Sequence, residues 1–124
     1  MSVLAFITDL SFQAKVSQAA HETDVEVQIV SSLYHFLPGL EKKASMVLID
    51  LNAQGINPNM LIAQVKTKSP NLTVIAYASQ LKEGLLKQAR KAGADTVLEG
   101  AEFSKDLPGI LTRYGEKKST PHPD

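Results

Sequence analysis

Residues 45–50, with the sequence SMVLID, form a short and continuous apolar run that ends at an aspartate. Residues 3–8, VLAFIT, repeat this pattern and are followed directly by Asp9. Short apolar runs without polar alternation are typical of strands that are buried on both faces of a parallel sheet. The two runs are therefore interpreted as the first and third strands of such a sheet.

The rest of the chain alternates between strand-like and helix-like patterns. Further strands are predicted at residues 24–30 (DVEVQIV), 72–78 (LTVIAYA) and 95–98 (DTVL). Apolar residues at helical spacing predict helices at residues 11–21, 60–68, 81–92 and 104–114. We expect Pro58 to open the second of these helices, Gly93 to end the third, and Pro108 to lie in the first turn of the last.

The segment between the second and third strands is less regular. Residues 31–43 contain Pro38 and Gly39, which predict that any helix here is short or broken. Its residues Tyr34, Phe36 and Leu37 form either part of the core or an exposed contact patch. We expect the core, because large apolar side chains are buried more often than not.

Strands that alternate with helices in this way indicate a parallel sheet covered on both faces and wound right-handed. The fold class is therefore α/β, a doubly wound five-stranded parallel sheet. Residues 1–114 are expected to form a single domain. Residues 115–124, GEKKSTPHPD, have no apolar anchor and are expected to be a disordered tail.

Composition excludes several classes of function. The 124 residues contain 13 Lys and Arg against 13 Asp and Glu, so no positive excess favours binding to nucleic acid or an anionic membrane. The absence of cysteine excludes disulfides, thiolate metal sites and thiol nucleophiles. No apolar run approaches the roughly 20 residues that span a bilayer, and we expect a soluble, cytoplasmic protein.

Sequence motifs exclude further classes. The turn after the first strand, residues 8–12, has no glycine, so a dinucleotide-binding loop is absent. The seven glycines nowhere form a phosphate-binding loop, and there is no G-x-S-x-G nucleophile motif. His21, His35 and His122 are scattered and are interpreted as surface or packing residues.

Two aspartates remain as candidates for a functional site. In open α/β sheets, ligands bind outside the carboxyl ends of the strands near the switch in winding direction. If the first and third strands are neighbours, as in the flavodoxin-like order 2-1-3-4-5, Asp9 and Asp50 face each other there. Their repulsion is relieved by a raised pKa or by a divalent cation such as Mg²⁺. Asp9 alone is better explained as a helix cap, whereas the pair favours a shared acidic site.

Residues 89–98, ARKAGADTVL, resemble the A-x-x-A-G-A-x-x-[FY]-[LI] signature of bacterial response-regulator receiver domains. The resemblance extends over residues 2–114 and covers fold order and length. It implies that Asp50 is the phosphoacceptor, that Asp9 is the second acid of the acidic pair, and that the backbone carbonyl of Asn52 binds Mg²⁺. A histidine kinase or another signalling protein is then the implied partner.

Other positions depart from the family pattern in ways that bear on phosphorylation. Thr8 replaces the first acid of the pair, so metal affinity is expected to fall. The hydroxyl residue that closes the fourth strand falls on Ala78, and a shift of one residue would substitute Ser79. The aromatic switch residue of the fifth strand falls on Val97.

The lysine that follows the fifth strand in the family falls on Gly100, between Glu99 and Ala101. The cation that would neutralise a phosphoryl group is therefore missing. Binding of Mg²⁺ is expected to be weak, and phosphorylation of Asp50 is expected to be weak or absent.

These observations favour a stand-alone atypical receiver that is not an enzyme and acts as a phosphorylation-independent protein-interaction module. The resemblance implies docking through residues 80–88 and 102–105. We expect a monomer or weak dimer. Neither nucleic acid nor a membrane is expected as a partner. The alternative is a working receiver in a phosphorelay, with Asp50 as phosphoacceptor, Asp9 and Asn52 on Mg²⁺, and Thr8 holding a metal-bound water. A lesser alternative is a flavodoxin-like small-molecule binder, because fold alone does not establish function.

Overall fold

The computed structural model describes residues 2–80 and 82–115, which contain a parallel sheet of five strands. The strands are β1 (Val3–Phe6), β2 (Val27–Val30), β3 (Met46–Asp50), β4 (Val74–Ala78) and β5 (Thr96–Glu99). The helices are α1 (Leu10–Thr23), α2 (Leu33–Glu41), α3 (Pro58–Lys68), α4 (Glu83–Ala92) and α5 (Gly100–Tyr114). The strand order is β2-β1-β3-β4-β5, which confirms the predicted doubly wound sheet and its order 2-1-3-4-5.

The sheet separates two apolar layers. Helices α2, α3 and α4 cover one face, where Phe36, Ile62 and Ala89 are buried against the sheet. Helices α1 and α5 cover the other face with Val16 and Phe103 among its buried residues. Every residue of β1, β3 and β4 is buried, which is the pattern expected of central parallel strands.

Local signals in the sequence set two helix boundaries. Asn57 caps α3 by accepting hydrogen bonds from the N–H groups of Asn59 and Met60, and Pro58 occupies the first helical position. Gly93 follows α4 with a positive φ of 119°, a conformation that glycine adopts without strain. Both features confirm the prediction, and Leu61, Ile62 and Val65 form the buried face of α3 as expected.

Helix α2 is short, with nine residues, as predicted for residues 31–43, but it is not broken. The helix continues through Pro38 without a break, because its buried residues Phe36 and Leu40 hold it against the sheet. Of the three residues expected in the core, only Phe36 is buried. Tyr34 is 83% exposed and Leu37 is 48% exposed, because they lie on the outer side of the helix.

Helix α5 starts earlier than predicted. It begins at Gly100 and not at residue 104, so Pro108 lies in its interior and not in its first turn. The buried residues Phe103, Leu107 and Leu111 form one face of the helix, and this packing outweighs the hydrogen bond that proline cannot donate.

The start of β2 also differs from the prediction. Asp24, expected in the strand, ends α1 in the left-handed conformation with a φ of 56°. The regular strand therefore begins only at Val27, although Val25, two residues before it, is also buried.

Two expectations lie outside the described residues. These are the burial of the Leu81 side chain and the disordered tail from residue 116 onward. Helix α4 itself begins at Glu83 and not at residue 81, and Lys82 before it is extended. Within residues 2–80 and 82–115, no helix is both long enough and apolar enough to cross a membrane.

Candidate functional site

The candidate site lies at the carboxyl edge of the sheet, between β1 and β3. These strands are direct neighbours, and residue Phe6 of β1 pairs with Ile49 of β3. Asp9 follows β1 and Asp50 is the last residue of β3, so the topology brings them to the same edge. The structure thus meets the condition under which the sequence predicts a shared acidic site.

Asp50 is buried, with 3% of its surface exposed. Its Oδ1 accepts a hydrogen bond of 2.8 Å from the backbone N–H of Asn52. Burial raises the pKa of the carboxyl group, the Asn52 N–H lowers it, and the charge of Asp9 raises it, with a net increase. The raised pKa is therefore due mainly to burial, and repulsion by Asp9 adds a smaller increase.

Asp9 serves as the N-cap of α1 and also lines the site. Its Oδ1 accepts hydrogen bonds from the N–H groups of Ser11, at 2.8 Å, and Phe12, at 3.3 Å. The side chain is exposed, and no hydrogen bond to its Oδ2 occurs within the described part of the chain. The capping role and the acidic site are therefore compatible, because they use different oxygens.

A polar loop after β3 closes the site on one side. The backbone N–H of Gln54 donates to Oγ1 of Thr8 at 3.2 Å, which connects the loop to the end of β1. Oδ1 of Asn52 accepts two hydrogen bonds from Ser79, one from its N–H at 2.9 Å and one from its hydroxyl at 3.1 Å. The Thr8 hydroxyl and the Asn52 side chain thus hold loop positions in place.

The sequence left two positions open for a hydroxyl group after the fourth strand. Ala78 is the last residue of β4 and is fully buried, whereas Ser79 is exposed and lines the cavity. The hydroxyl group at the site is therefore that of Ser79.

These residues enclose a cavity of about 290 Å³. Its lining consists of Thr8, Asp9, Phe12, Asp50, Asn52, Gln54 and Ser79. The lining contains two carboxyl groups and no lysine or arginine from the described residues. The cavity is thus a polar and acidic site at the predicted edge of the sheet.

An aromatic stack borders the cavity. The ring of Phe12, which lines the cavity, lies 4.7 Å from the ring of Tyr77, and Tyr77 stacks on Phe103 at 4.1 Å with an interplanar angle of 6°. The Tyr77 hydroxyl is buried and has no hydrogen-bond partner among the described residues. Burial raises its pKa, and the charges of Asp50 and Asp9 raise it further.

The sequence does not identify Phe12 or Gln54 as lining residues of this site, or Tyr77 as the residue that packs behind Phe12. Phe12 was assigned to the apolar face of a helix and Tyr77 to a buried strand, and both assignments describe their backbone correctly. A usable signal existed for Phe12 alone, because the first turn of a helix that follows the first strand must lie at the carboxyl edge.

The altered positions at the end of β5 lie outside the cavity lining. Val97 is buried in the apolar layer beneath α3 and α4. Glu99 and Ala101 are exposed. Gly100 is buried, and a Cβ atom there would lie 2.9 Å from Cζ of Phe12 and 3.2 Å from Cα of Ser79. A larger residue at position 100 therefore requires the Phe12 ring and the backbone at Ser79 to shift.

No protein-family model matches the sequence, and no curated protein matches it. Many solved structures share its fold. The signal receiver domain of the DNA-binding response regulator merR from Colwellia psychrerythraea is 19% identical, with a TM-score of 0.80 over 91% of this chain and 96% of that chain. The BeF3-activated DrrB receiver domain is 18% identical, with a TM-score of 0.78 over 91% and 95%.

The Mn²⁺-bound form of response regulator Rcp1 is 14% identical, with a TM-score of 0.78 over 98% of this chain and 99% of that chain. The chain therefore has the fold of response-regulator receiver domains, as the resemblance in residues 89–98 implies.

Proposed function

We propose that this chain is an atypical receiver protein of two-component-type signal transduction that works by binding protein partners. It is proposed to act in the cytoplasm, without enzymatic activity of its own and without phosphorylation of Asp50. The receiver fold supports the signalling class, and the composition of the cavity supports the atypical mode of action.

The packing of Gly100 against Phe12 carries the proposal. The resemblance places a lysine at position 100, where it would neutralise a phosphoryl group on Asp50. Here a Cβ atom would lie 2.9 Å from Cζ of Phe12, so any side chain at this position requires the Phe12 ring to move. A phosphoryl group would add roughly two negative charges beside Asp9, and no cationic residue of the described chain lines the cavity to offset them.

A specific observation favours the alternative, a receiver that accepts a phosphoryl group. Asp9, Asp50 and Asn52 lie around one cavity, and the hydroxyl of Ser79 is also present. These groups fit a divalent cation in part, because carboxylate and carbonyl oxygens are the ligands that Mg²⁺ prefers. One relative of the same fold is a Mn²⁺-bound response regulator. In this alternative, Asp50 would attack a phosphodonor while Mg²⁺ offsets charge.

The deciding experiment is incubation of the purified protein with acetyl phosphate and Mg²⁺, followed by intact mass measurement. In a positive reaction, a carboxylate oxygen of Asp50 forms a bond to phosphorus and acetate leaves. We expect no added phosphoryl mass, while a typical receiver domain treated in parallel gains it. An added mass that disappears in Asp50→Asn would establish the alternative and reject phosphorylation independence.

A further inference from the structure

We propose that the cavity beside Asp50 takes the guanidinium group of an arginine side chain that a partner protein presents. This inference rests on the proposed function, because it specifies the partner's chemistry at the same site. It is carried by the unmatched hydrogen-bond acceptors in and beside the cavity, and by the lack of a cation to meet them.

Asp50 supplies the first unmatched acceptor. The residue is almost completely buried, yet only its Oδ1 receives a hydrogen bond, from Asn52. Its other oxygen has no partner within the described residues, although the side chain lines the cavity. This oxygen is reached only through the cavity, and the ionised carboxyl group is poorly solvated at this depth, so a donor that enters the cavity binds favourably there.

The Tyr77 hydroxyl supplies an independent observation. Tyr77 lies opposite Asp50 in the pairing of β3 with β4, on the face of the sheet covered by α1 and α5. Its hydroxyl is fully buried without a partner, and its ring contacts the Phe12 ring that lines the cavity. The second carboxylate oxygen of Asp50 and the Tyr77 hydroxyl therefore belong to residues paired across β3 and β4, and neither atom has a hydrogen-bond partner among the described residues.

No lysine or arginine of the described residues lines the cavity. Position 100 carries glycine and is closed by Phe12. The Lys15 ammonium lies 4.9 Å from the centroid of the Phe12 ring, and Lys15 is not part of the cavity lining. The charge therefore has to come from another molecule.

A guanidinium group fits the cavity better than a metal ion. It is planar, carries five N–H donors, and binds carboxylates through two parallel hydrogen bonds. It can thus serve Asp50 and the free oxygen of Asp9 together while its flat face contacts the apolar wall at Phe12. By contrast, no group of three or more Asp, Glu, His or Cys side chains within residues 2–80 and 82–115 is arranged to hold a metal.

The test uses the peptide acetyl-Gly-Arg-Gly-amide as the probe, with the matched peptide in which citrulline replaces arginine as the uncharged control. Binding is followed by the backbone amide shifts of Asn52, Gln54 and Ser79 in two-dimensional NMR. We expect saturable shifts at these amides with the arginine peptide, and at least about tenfold weaker binding of the citrulline peptide, the ratio for loss of one charge-assisted hydrogen bond.

Variants locate the binding. Asp50→Asn and Asp9→Asn each remove one charge at nearly constant size, and asparagine preserves the helix cap at position 9. Each is expected to weaken binding about tenfold. Asp106→Asn removes the same charge from the exposed side of α5 and should leave affinity unchanged. Equal binding of both peptides, equal effects of all three variants, or no shift at the site amides would overturn the proposal.

Two further arms separate related explanations. Free arginine carries its own carboxylate, so tighter binding of free arginine than of the peptide would assign the site to a small molecule and reject a partner side chain. Mg²⁺ that displaces the peptide at low concentration would assign the site to a metal.

The acetyl phosphate experiment is independent of both arms. A peptide that fails to bind leaves phosphorylation independence intact, whereas phosphorylation of Asp50 rejects the proposed function even if the peptide binds.

Discussion

Gly100 and Phe12 are in such close contact that a Cβ atom at position 100 would lie 2.9 Å from Cζ of the phenylalanine ring. This contact joins the start of α5 to the first turn of α1. It also connects the end of β5 to the wall of the acidic cavity, because Phe12 lines that cavity. The size of the residue at position 100 is therefore coupled to the shape of the site.

Gly100→Ala is expected to destabilise the protein by about 1–3 kcal/mol, because the added methyl group overpacks a closed position. Phe12→Leu should reduce this cost, since the atom nearest to the new methyl group is then removed. The cost is obtained from urea unfolding of the two single variants and the double variant. Gly109→Ala in the same helix is the control, because no atom of the described residues lies within 4 Å of a Cβ at that position. It should stabilise the protein by about 0.5–1 kcal/mol.

If Gly100→Ala proves as harmless as Gly109→Ala, the closed packing at Phe12 is wrong. The argument that a lysine cannot be placed at position 100 then fails as well.

Part of this site could be predicted from the sequence because it depends on strand order. Asp9 and Asp50 each follow a continuous apolar run, and the parallel topology alone brings the ends of neighbouring strands together. The contact between Phe12 and Gly100 could not be predicted in this way. It depends on where α5 begins and how it rotates, and the apolar spacing of residues 107–114 places that start at residue 104 and not at Gly100.

Which side chains of α2 are exposed could not be predicted from the sequence either. Apolar composition predicts burial of Tyr34 and Leu37, but only one side of a short helix can face the sheet. Phe36 and Leu40 occupy that side, and Tyr34 is left 83% exposed. The helix continues through Pro38 because tertiary packing, which a local pattern does not contain, outweighs the missing hydrogen bond.

Tyr77→Phe is expected to leave the stability unchanged or to raise it by as much as about 1–3 kcal/mol. The hydroxyl is buried without a hydrogen-bond partner in the part of the chain that the structure describes, so its removal eliminates a desolvation cost, and the ring keeps its stack on Phe103. Urea unfolding gives the difference, and Tyr34→Phe on the exposed side of α2 is the matched control with no expected effect. A loss of more than about 1 kcal/mol in Tyr77→Phe would mean that the hydroxyl has a partner in solution.

Asp9→Ala and Asp9→Asn separate the two roles of Asp9. Alanine removes the acceptor for the N–H groups of Ser11 and Phe12 and should destabilise the protein by about 0.5–2 kcal/mol. Asparagine keeps the cap and removes the charge, so its stability should remain close to wild type. In both variants the pKa of Asp50 should fall, because the like charge that raises it is gone.

The Asp50 pKa can be followed through the carboxyl ¹³C shift as a function of pH. An Asp50 pKa that is the same in wild type and Asp9→Asn would show that the two carboxyl groups do not interact.

Asp50 and Asp95 are expected to affect stability with opposite dependence on pH. The folded-state pKa of Asp50 is raised, so its contribution to stability is present below the unfolded-state pKa of about 3.9 and is lost as pH rises through the folded-state value. Burial alone would raise the pKa of Asp95 too. The hydrogen bonds from Lys66 and the Val74 N–H, with the Lys66 charge, outweigh burial and lower the Asp95 pKa.

The Asp95 contribution is therefore present above about pH 3.9 and is lost as pH falls through its folded-state value. Asp50→Asn should be more stable than wild type at about pH 7, and this gain should disappear as pH falls toward 4 and below. Asp95→Asn should be less stable than wild type at the same neutral pH, with the deficit shrinking in acid. Urea unfolding of both variants across this range measures the two differences.

If Asp50→Asn is destabilised at neutral pH, the ionised carboxylate contributes favourably to the fold, and a cation must already be available to it.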